Sequence, residues 1–209
     1  MLHGLYAITD DTLLPGDQLL PAVRDALAGG ASLVQYRAKQ NDHARRRHDA
    51  LALLELCKSY QVPLIINDDV QLCLDIGADG VHLGQQDTNL ASARARLGSH
   101  ALLGASCHAS VALGLSAQKQ GADYVAFGRL FPSHTKPAAP SAQLSVLTEA
   151  KETLRIPIVA IGGINAENGA AAIAAGADML AVIHYLFGSP AVKTRARQLA
   201  SLFATAPQK

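Results

Sequence analysis

The chain has 209 residues, enough for one domain with a sizeable core, and 49% of them are hydrophobic. Its 18 Lys and Arg against 17 Asp and Glu leave a formal charge of +1, which argues against a nucleic-acid or membrane-surface partner as its main business. The three cysteines, Cys57, Cys73 and Cys107, form no Cys-x-x-Cys pair, so free thiols in a reducing cytosol are expected, with Cys107 read as a small core residue.

The N-terminus lacks a charged region followed by an apolar stretch, and the most apolar segment, 170–188, is interrupted by Asp178 and His184. Neither reads as a signal peptide or a membrane span, so a cytoplasmic protein is expected. Strand candidates follow at 4–10, 33–37, 64–68, 80–84, 102–106, 124–129, 158–163 and 179–184. Gly-Ala-Ser or Gly-Ala-Asp precedes every second one: Gly30-Ala31-Ser32, Gly77-Ala78-Asp79, Gly121-Ala122-Asp123 and Gly176-Ala177-Asp178. Each glycine suits the left-handed position that ends a helix. Strands alternating with helical patterns imply a parallel sheet of right-handed βαβ units. Residues 1–209 therefore read as one (β/α)8 barrel domain with a frayed tail at 205–209; an open doubly wound sheet is the alternative. The basic run Arg45-Arg46-Arg47 reads as the solvated face of a helix whose apolar side is Ala50, Leu53, Leu54 and Cys57.

In such a barrel the site lies at the C-terminal strand ends, and polar residues gather there. Alternation along strand two puts Gln35, Arg37 and Lys39 on one side and Tyr36 on the other, an arrangement suited to an anion. Strand three runs into Asn67-Asp68-Asp69, where Asp69 reads as a helix cap and Asp68 faces the mouth only if the chain turns. Strand four runs into His82-Leu83-Gly84-Gln85-Gln86-Asp87. Adjacent strands lie about 4.8 Å apart, so Asp68 and Asp87 can approach one cation. Two carboxylates without a cysteine favour a hard, oxygen-ligated ion such as Mg²⁺, which completes its shell with water and substrate phosphate. His82 reads as a hydrogen-bonded barrel histidine. Ser106 ends strand five outside any Gly-x-Ser-x-Gly elbow, and the proline-bearing segment 130–140, with Ser133-His134-Thr135-Lys136, reads as a lid over phosphate. Gly162 and Gly163 after strand seven, and His184 after strand eight, mark a second anion site. Two phosphorylated substrates fit this inventory better than one.

The ordered set Gly4-Leu5-Tyr6-Ala7-Ile8-Thr9-Asp10, Gln35-Tyr36-Arg37-Ala38-Lys39, Asn67-Asp68-Asp69, His82-Leu83-Gly84-Gln85-Gln86-Asp87, Ser133-His134-Thr135-Lys136 and Ala160-Ile161-Gly162-Gly163-Ile164 resembles the thiamine-phosphate synthase family. The resemblance implies transfer of hydroxymethylpyrimidine from its diphosphate to hydroxyethylthiazole phosphate, through a dissociative route with a pyrimidine-methyl cation. It implies that Gln35, Tyr36, Arg37, Ala38, Lys39, Asn67, Ser106 and Lys136 surround the pyrimidine diphosphate, with Arg37, Lys39, Ser106 and Lys136 acting on the reaction. It implies Mg²⁺ on Asp68 and Asp87, and thiazole phosphate among Ser133, His134, Thr135, Gly163, Ile183 and His184. Three positions depart from the family's pattern: Ser133 stands for threonine, Gln86 for glutamate and His184 for serine. A thiazole tautomerase on the same barrel and a non-catalytic sensor of thiamine phosphate are the alternatives.

Overall fold

Eight short apolar runs form the strands β1 (Gly4–Ile8), β2 (Ala31–Tyr36), β3 (Leu64–Asn67), β4 (Gly80–Leu83), β5 (Leu102–His108), β6 (Tyr124–Phe127), β7 (Ile158–Ile161) and β8 (Met179–Val182). They close in chain order into a barrel, with β1 parallel to both β2 and β8, so the expected (β/α)8 fold is the observed one. The computed structural model describes residues 2–133 and 141–204. His134, Thr135 and Lys136, much of the expected lid and the tail 205–209 lie outside the described residues.

The helices between strands are α1 (Leu19–Ala28), α2 (His43–Ser59), α3 (Val70–Ile76), α4 (Leu90–Leu97), α5 (Val111–Lys119), α6 (Ser145–Thr153), α7 (Gly169–Ala174), α8 (His184–Phe187) and α9 (Val192–Ala204). Side chains of Asp42, Asp69, Asn89 and Ser110 cap α2 to α5 by accepting backbone N–H bonds in the first turn. Strand alternation divides the core into two layers. Leu5 and Ala7 pack outward with the helices, whereas Tyr6 and Ile8 join Leu33, Ile65, Tyr124, Val159 and Met179 inside the barrel.

The recurring Gly-Ala-Asp has a structural reason. All four of its glycines, counting the Gly-Ala-Ser copy, have positive φ, from 66° at Gly77 to 117° at Gly176. The residue two positions on then closes a bracket on the preceding odd-numbered strand. Asp79 Oδ2 accepts from Leu64 N at 2.8 Å while Asp79 N donates to Leu64 O at 3.1 Å. Asp123 repeats this with Leu103 and Asp178 with Ile158. In the serine copy, Ser32 Oγ donates to His3 O at 2.6 Å. These brackets sit at the N-terminal pole of the barrel, away from the strand tips.

Two details differ from the sequence reading. Arg45 and Arg46 are not simply solvated: Arg45 Nε bonds to the buried Asp49, and Arg46 reaches Asp69 at 3.6 Å. Seven strands also stop one or two residues earlier than expected, and β5 runs two residues further. All three cysteines are buried, and burial pushes each thiol up to about 12. No helix among the described residues is long and apolar enough to cross a membrane.

Candidate active site

The C-terminal strand tips surround a cavity of ≈ 350 Å³. Gln35, Arg37, Asn67, Ser106, Ser133, Gly163, Ile183 and His184 of the expected set line it. A smaller neighbouring pocket adds Lys39 and shares Arg37 and His184. Tyr36, Ala38, Asp68 and Asp87 line neither. Tyr36 is 3% exposed and points outward, its hydroxyl donating to Asp49 Oδ2 at 3.3 Å, so any contribution to ligand binding from this position is through backbone. The alternation that sends Gln35 and Arg37 inward sends Tyr36 to the helices.

Strand one braces strand two. Thr9 Oγ1 accepts from Arg37 N at 2.9 Å, and Arg37 Nη1 donates to Asp10 Oδ2 at 2.8 Å with both side chains mostly buried. Asp11 Oδ2 accepts from Gln40 N at 2.6 Å and so fixes the loop beyond. Arg37 is therefore held in place with part of its charge already balanced. Asp10 was readable as a polar strand-end residue, but its partner, 27 residues away, was not.

At the tip of β3 the chain turns through Asp68, whose φ is 62°, a left-handed conformation that lets Asn67 and Asp68 both face the mouth. The turn is held by Asp68 N donating to His82 O at 2.9 Å. Asp69 caps α3 through Leu72 N at 2.9 Å. Asp68 Oδ2 accepts from Lys39 Nζ and, at 2.7 Å, from Asn67 Nδ2. Asp87 lies within hydrogen-bonding reach of Asp68 and accepts from Gly84 N at 2.7 Å.

These two carboxylates are driven apart in acidity. Burial disfavours ionisation at Asp68, but the Lys39 ammonium, with Asp87 and Asn67, outweighs it and holds Asp68 below its ordinary value. Burial and the neighbouring Asp68 push Asp87 up. Among the described residues no group of three or more His, Cys, Asp and Glu gathers that could hold a metal ion. A close carboxylate pair fits a divalent ion that takes one or two carboxylates and fills its shell from water and phosphate.

The opposite side of the mouth is cationic and backbone-lined. Gly163 has φ 67°, and a Cβ on it would lie 2.3 Å from Pro132 O, so the close approach of the strand-seven and strand-six loops requires glycine. Arg129 follows β6 against Gly162, and its Nε is buried with no hydrogen-bond partner among the described residues. Arg195 of α9 also reaches the cavity, its Nη1 donating to Tyr185 O at 2.5 Å. The sequence reading did not single out Arg129 or Arg195. Arg129 stood within a strand candidate, and only the fold carries Arg195, far along the chain, to the same mouth.

Known proteins resemble this chain over nearly its whole length. A family model described as thiamine monophosphate synthase matches residues 5–186. The thiamine-phosphate synthase of Thioalkalivibrio sulfidiphilus is 53% identical over 202 residues, covering 97% of this chain and 96% of that one. That of Methylococcus capsulatus is 50% identical over 206 residues, covering 99% and 91%. The structure of a thiamine phosphate pyrophosphorylase from Pyrococcus furiosus superimposes with a TM-score of 0.87 at 33% identity, over 96% of this chain and 95% of the other. With a family match running from strand one to the short helix after strand eight, and relatives alike over nearly their whole length, the chain belongs to the thiamine monophosphate synthase family.

Proposed function

We propose that this protein is a Mg²⁺-dependent thiamine-phosphate synthase, joining hydroxymethylpyrimidine diphosphate to hydroxyethylthiazole phosphate with release of pyrophosphate. One observation carries the reading: a close carboxylate pair, Asp68 and Asp87, is tied through Asp68 to Lys39 and Asn67, which line the pockets at the strand tips together with Arg37, and the lining of the larger cavity also presents Gly163, Arg129 and Arg195. That is a place for a metal-bound diphosphate and a separate place for a monophosphate.

Asp68 and Asp87 would hold Mg²⁺, which when bound neutralises charge accumulating on the departing diphosphate. The chain's own residues do the rest. Arg37, fixed by Asp10 and Thr9, offers its guanidinium to the same oxygens without having to be ordered first. Lys39, the counter-ion of Asp68, lies where it can share that load, and the family resemblance gives Lys136, outside the described residues, a part in the same task. The carbon–oxygen bond breaks with its electron pair leaving on the diphosphate. The thiazole nitrogen then gives its lone pair to the pyrimidine-methyl cation, so no base is needed to remove a proton from the nucleophile. Gly163, Ser133, His184 and Arg129 hold the thiazole phosphate, and the apolar floor of Ile8, Val159, Ile161 and Ala181 keeps water from the cation.

An assay with both substrates, with and without chelator, tests this. Thiamine phosphate and pyrophosphate are expected in equal amounts, only when a divalent ion is present. No product with both substrates and metal refutes the function; undiminished product in chelator refutes the metal.

A further inference from the structure

Beneath the cavity a row of hydrogen bonds crosses the barrel interior. Gln35 Nε2 donates to Tyr6 Oη at 2.6 Å, the hydroxyls of Tyr6 and Tyr124 are 2.8 Å apart, Tyr124 Oη is 3.2 Å from His82 Nδ1, and His82 Nε2 is 2.9 Å from Ser106 Oγ. Gln35, Tyr6 and Tyr124 are at most 2% exposed, and His82 is 8% exposed. The row is built in: a Cβ on Gly104 would lie 2.2 Å from Tyr124 Cζ and 2.5 Å from His82 Nδ1, so the strand beneath must carry glycine. Its two ends, Gln35 and Ser106, both line the cavity.

With Gln35 Nε2 rather than Oε1 turned to Tyr6, the row takes one sense. An amide nitrogen can only donate, so Tyr6 Oη accepts there and passes its own proton to Tyr124 Oη. A buried hydroxyl keeps its donor satisfied, so Tyr124 in turn donates to His82 Nδ1. His82 is then the tautomer with hydrogen on Nε2, and it donates to Ser106 Oγ. The Ser106 proton remains for the cavity, as does Gln35 Oε1. Burial raises both tyrosine hydroxyls above their ordinary value, which keeps them neutral donors.

We propose that Tyr6, Tyr124 and His82 are positioning residues that fix one acceptor, Gln35 Oε1, and one donor, the Ser106 hydroxyl, and thereby select an aminopyrimidine over an oxopyrimidine. An amino group beside a ring nitrogen presents a donor next to an acceptor. The oxo compound presents the reverse, an acceptor next to an N–H. This deepens the proposed function and rests on it, since it assumes the pyrimidine lies between Gln35 and Ser106. Gln35 Oε1 can only accept, so an oxopyrimidine would set its carbonyl oxygen against another acceptor, and turning the Gln35 amide to relieve this would reverse every donor along the row and change the His82 tautomer.

Two measurements test it. In ¹⁵N-labelled, ligand-free protein the His82 ring should show an unprotonated Nδ1 and a protonated Nε2; the opposite tautomer overturns the assignment. This result does not depend on turnover, so it stands or falls apart from the proposed function, which fails if wild-type protein makes no thiamine phosphate. In the kinetic arm, wild-type protein should prefer the 4-amino to the 4-oxo pyrimidine diphosphate by at least about 100-fold in kcat/KM, because mispaired buried polar groups are heavily penalised. Tyr124→Phe, which keeps the ring that fills the space over Gly104, should lose at least about tenfold of that preference while the KM for thiazole phosphate is unchanged. Tyr6→Phe should do the same and serves if Tyr124→Phe does not fold. A preference that survives in a folded variant overturns the proposal.

Discussion

Replacing Asp87 with Asn separates a metal ligand from a loop cap, because Asn keeps the cap and loses the charge. The Asn side-chain oxygen can still accept from Gly84 N, a bond of 2.7 Å in the native protein, so the loop keeps its anchor. What disappears is a negative charge beside Asp68. Two unit charges about 4 Å apart repel by about 4 kcal/mol at an effective dielectric of 20 and about 1 kcal/mol in water. Asp87 is exposed and Lys39 already sits on Asp68, so the lower figure applies. Metal-free Asp87→Asn protein should therefore be more stable by about 1 kcal/mol, which for a chain of this size is a rise in Tm of about 2–4 °C. Its Mg²⁺ requirement should move the other way. Loss of one of two anionic ligands should raise the half-saturating Mg²⁺ concentration at least about tenfold, or about 1.4 kcal/mol. Scanning calorimetry in chelator and a Mg²⁺ titration of turnover measure the two effects. An unchanged titration would show that Asp87 only caps its loop, and the metal site would be wrong.

Asp178→Ala removes a carboxylate that accepts from Ile158 N at 2.9 Å and pairs with Lys151 at 2.6 Å, at 18% side-chain exposure. A loss of about 2 kcal/mol is expected, lowering Tm by about 4–8 °C with kcat unchanged, because the bracket lies at the pole away from the site. A matching fall in kcat would contradict that separation. Arg129→Gln should raise the KM for thiazole phosphate about tenfold and leave that for pyrimidine diphosphate alone, as steady-state kinetics with each substrate varied in turn would show. The three thiols, held near 12 against an ordinary 9, stay protonated in the folded protein while those of the unfolded chain ionise. The stability this gives is complete below pH 9 and is lost as pH rises toward 12, by at most about 1.4 kcal/mol per unit for each thiol. Denaturant midpoints at pH 8 and 10 should fall accordingly, and Cys57→Ala, Cys73→Ala and Cys107→Ala should each flatten the slope.

The barrel could be read from the chain because its evidence is local and repeated. Gly30, Gly77, Gly121 and Gly176 each end a helix in positive φ, and each stands at a fixed distance before an apolar run. The polar tips were legible for the same reason: Asn67, Asp68 and Lys39 interrupt runs that otherwise continue. What could not be read is how residues far apart in sequence pair. Tyr6 and Tyr124 look like ordinary core aromatics until closure brings their hydroxyls together across 118 positions. Arg37 looks like a free cation until Asp10 is seen beside it. Arg129 and Arg195 become candidates only when the loops after strands six and eight share a mouth. Alternation did anticipate that Tyr36 would face away from Gln35 and Arg37, as its bond to Asp49 shows.

The brackets between strand pairs have a consequence for how the ring can be divided. Leu64 is tied to Asp79, Leu103 to Asp123 and Ile158 to Asp178, while Ser32 ties back to His3. Severing the polypeptide after the fourth strand leaves two whole ties in each fragment, whereas severing it after the third parts Leu64 from Asp79. Co-expressed halves cut at the first place should reassemble more readily than halves cut at the second, so the molecule behaves as four hinged staves rather than eight equal ones.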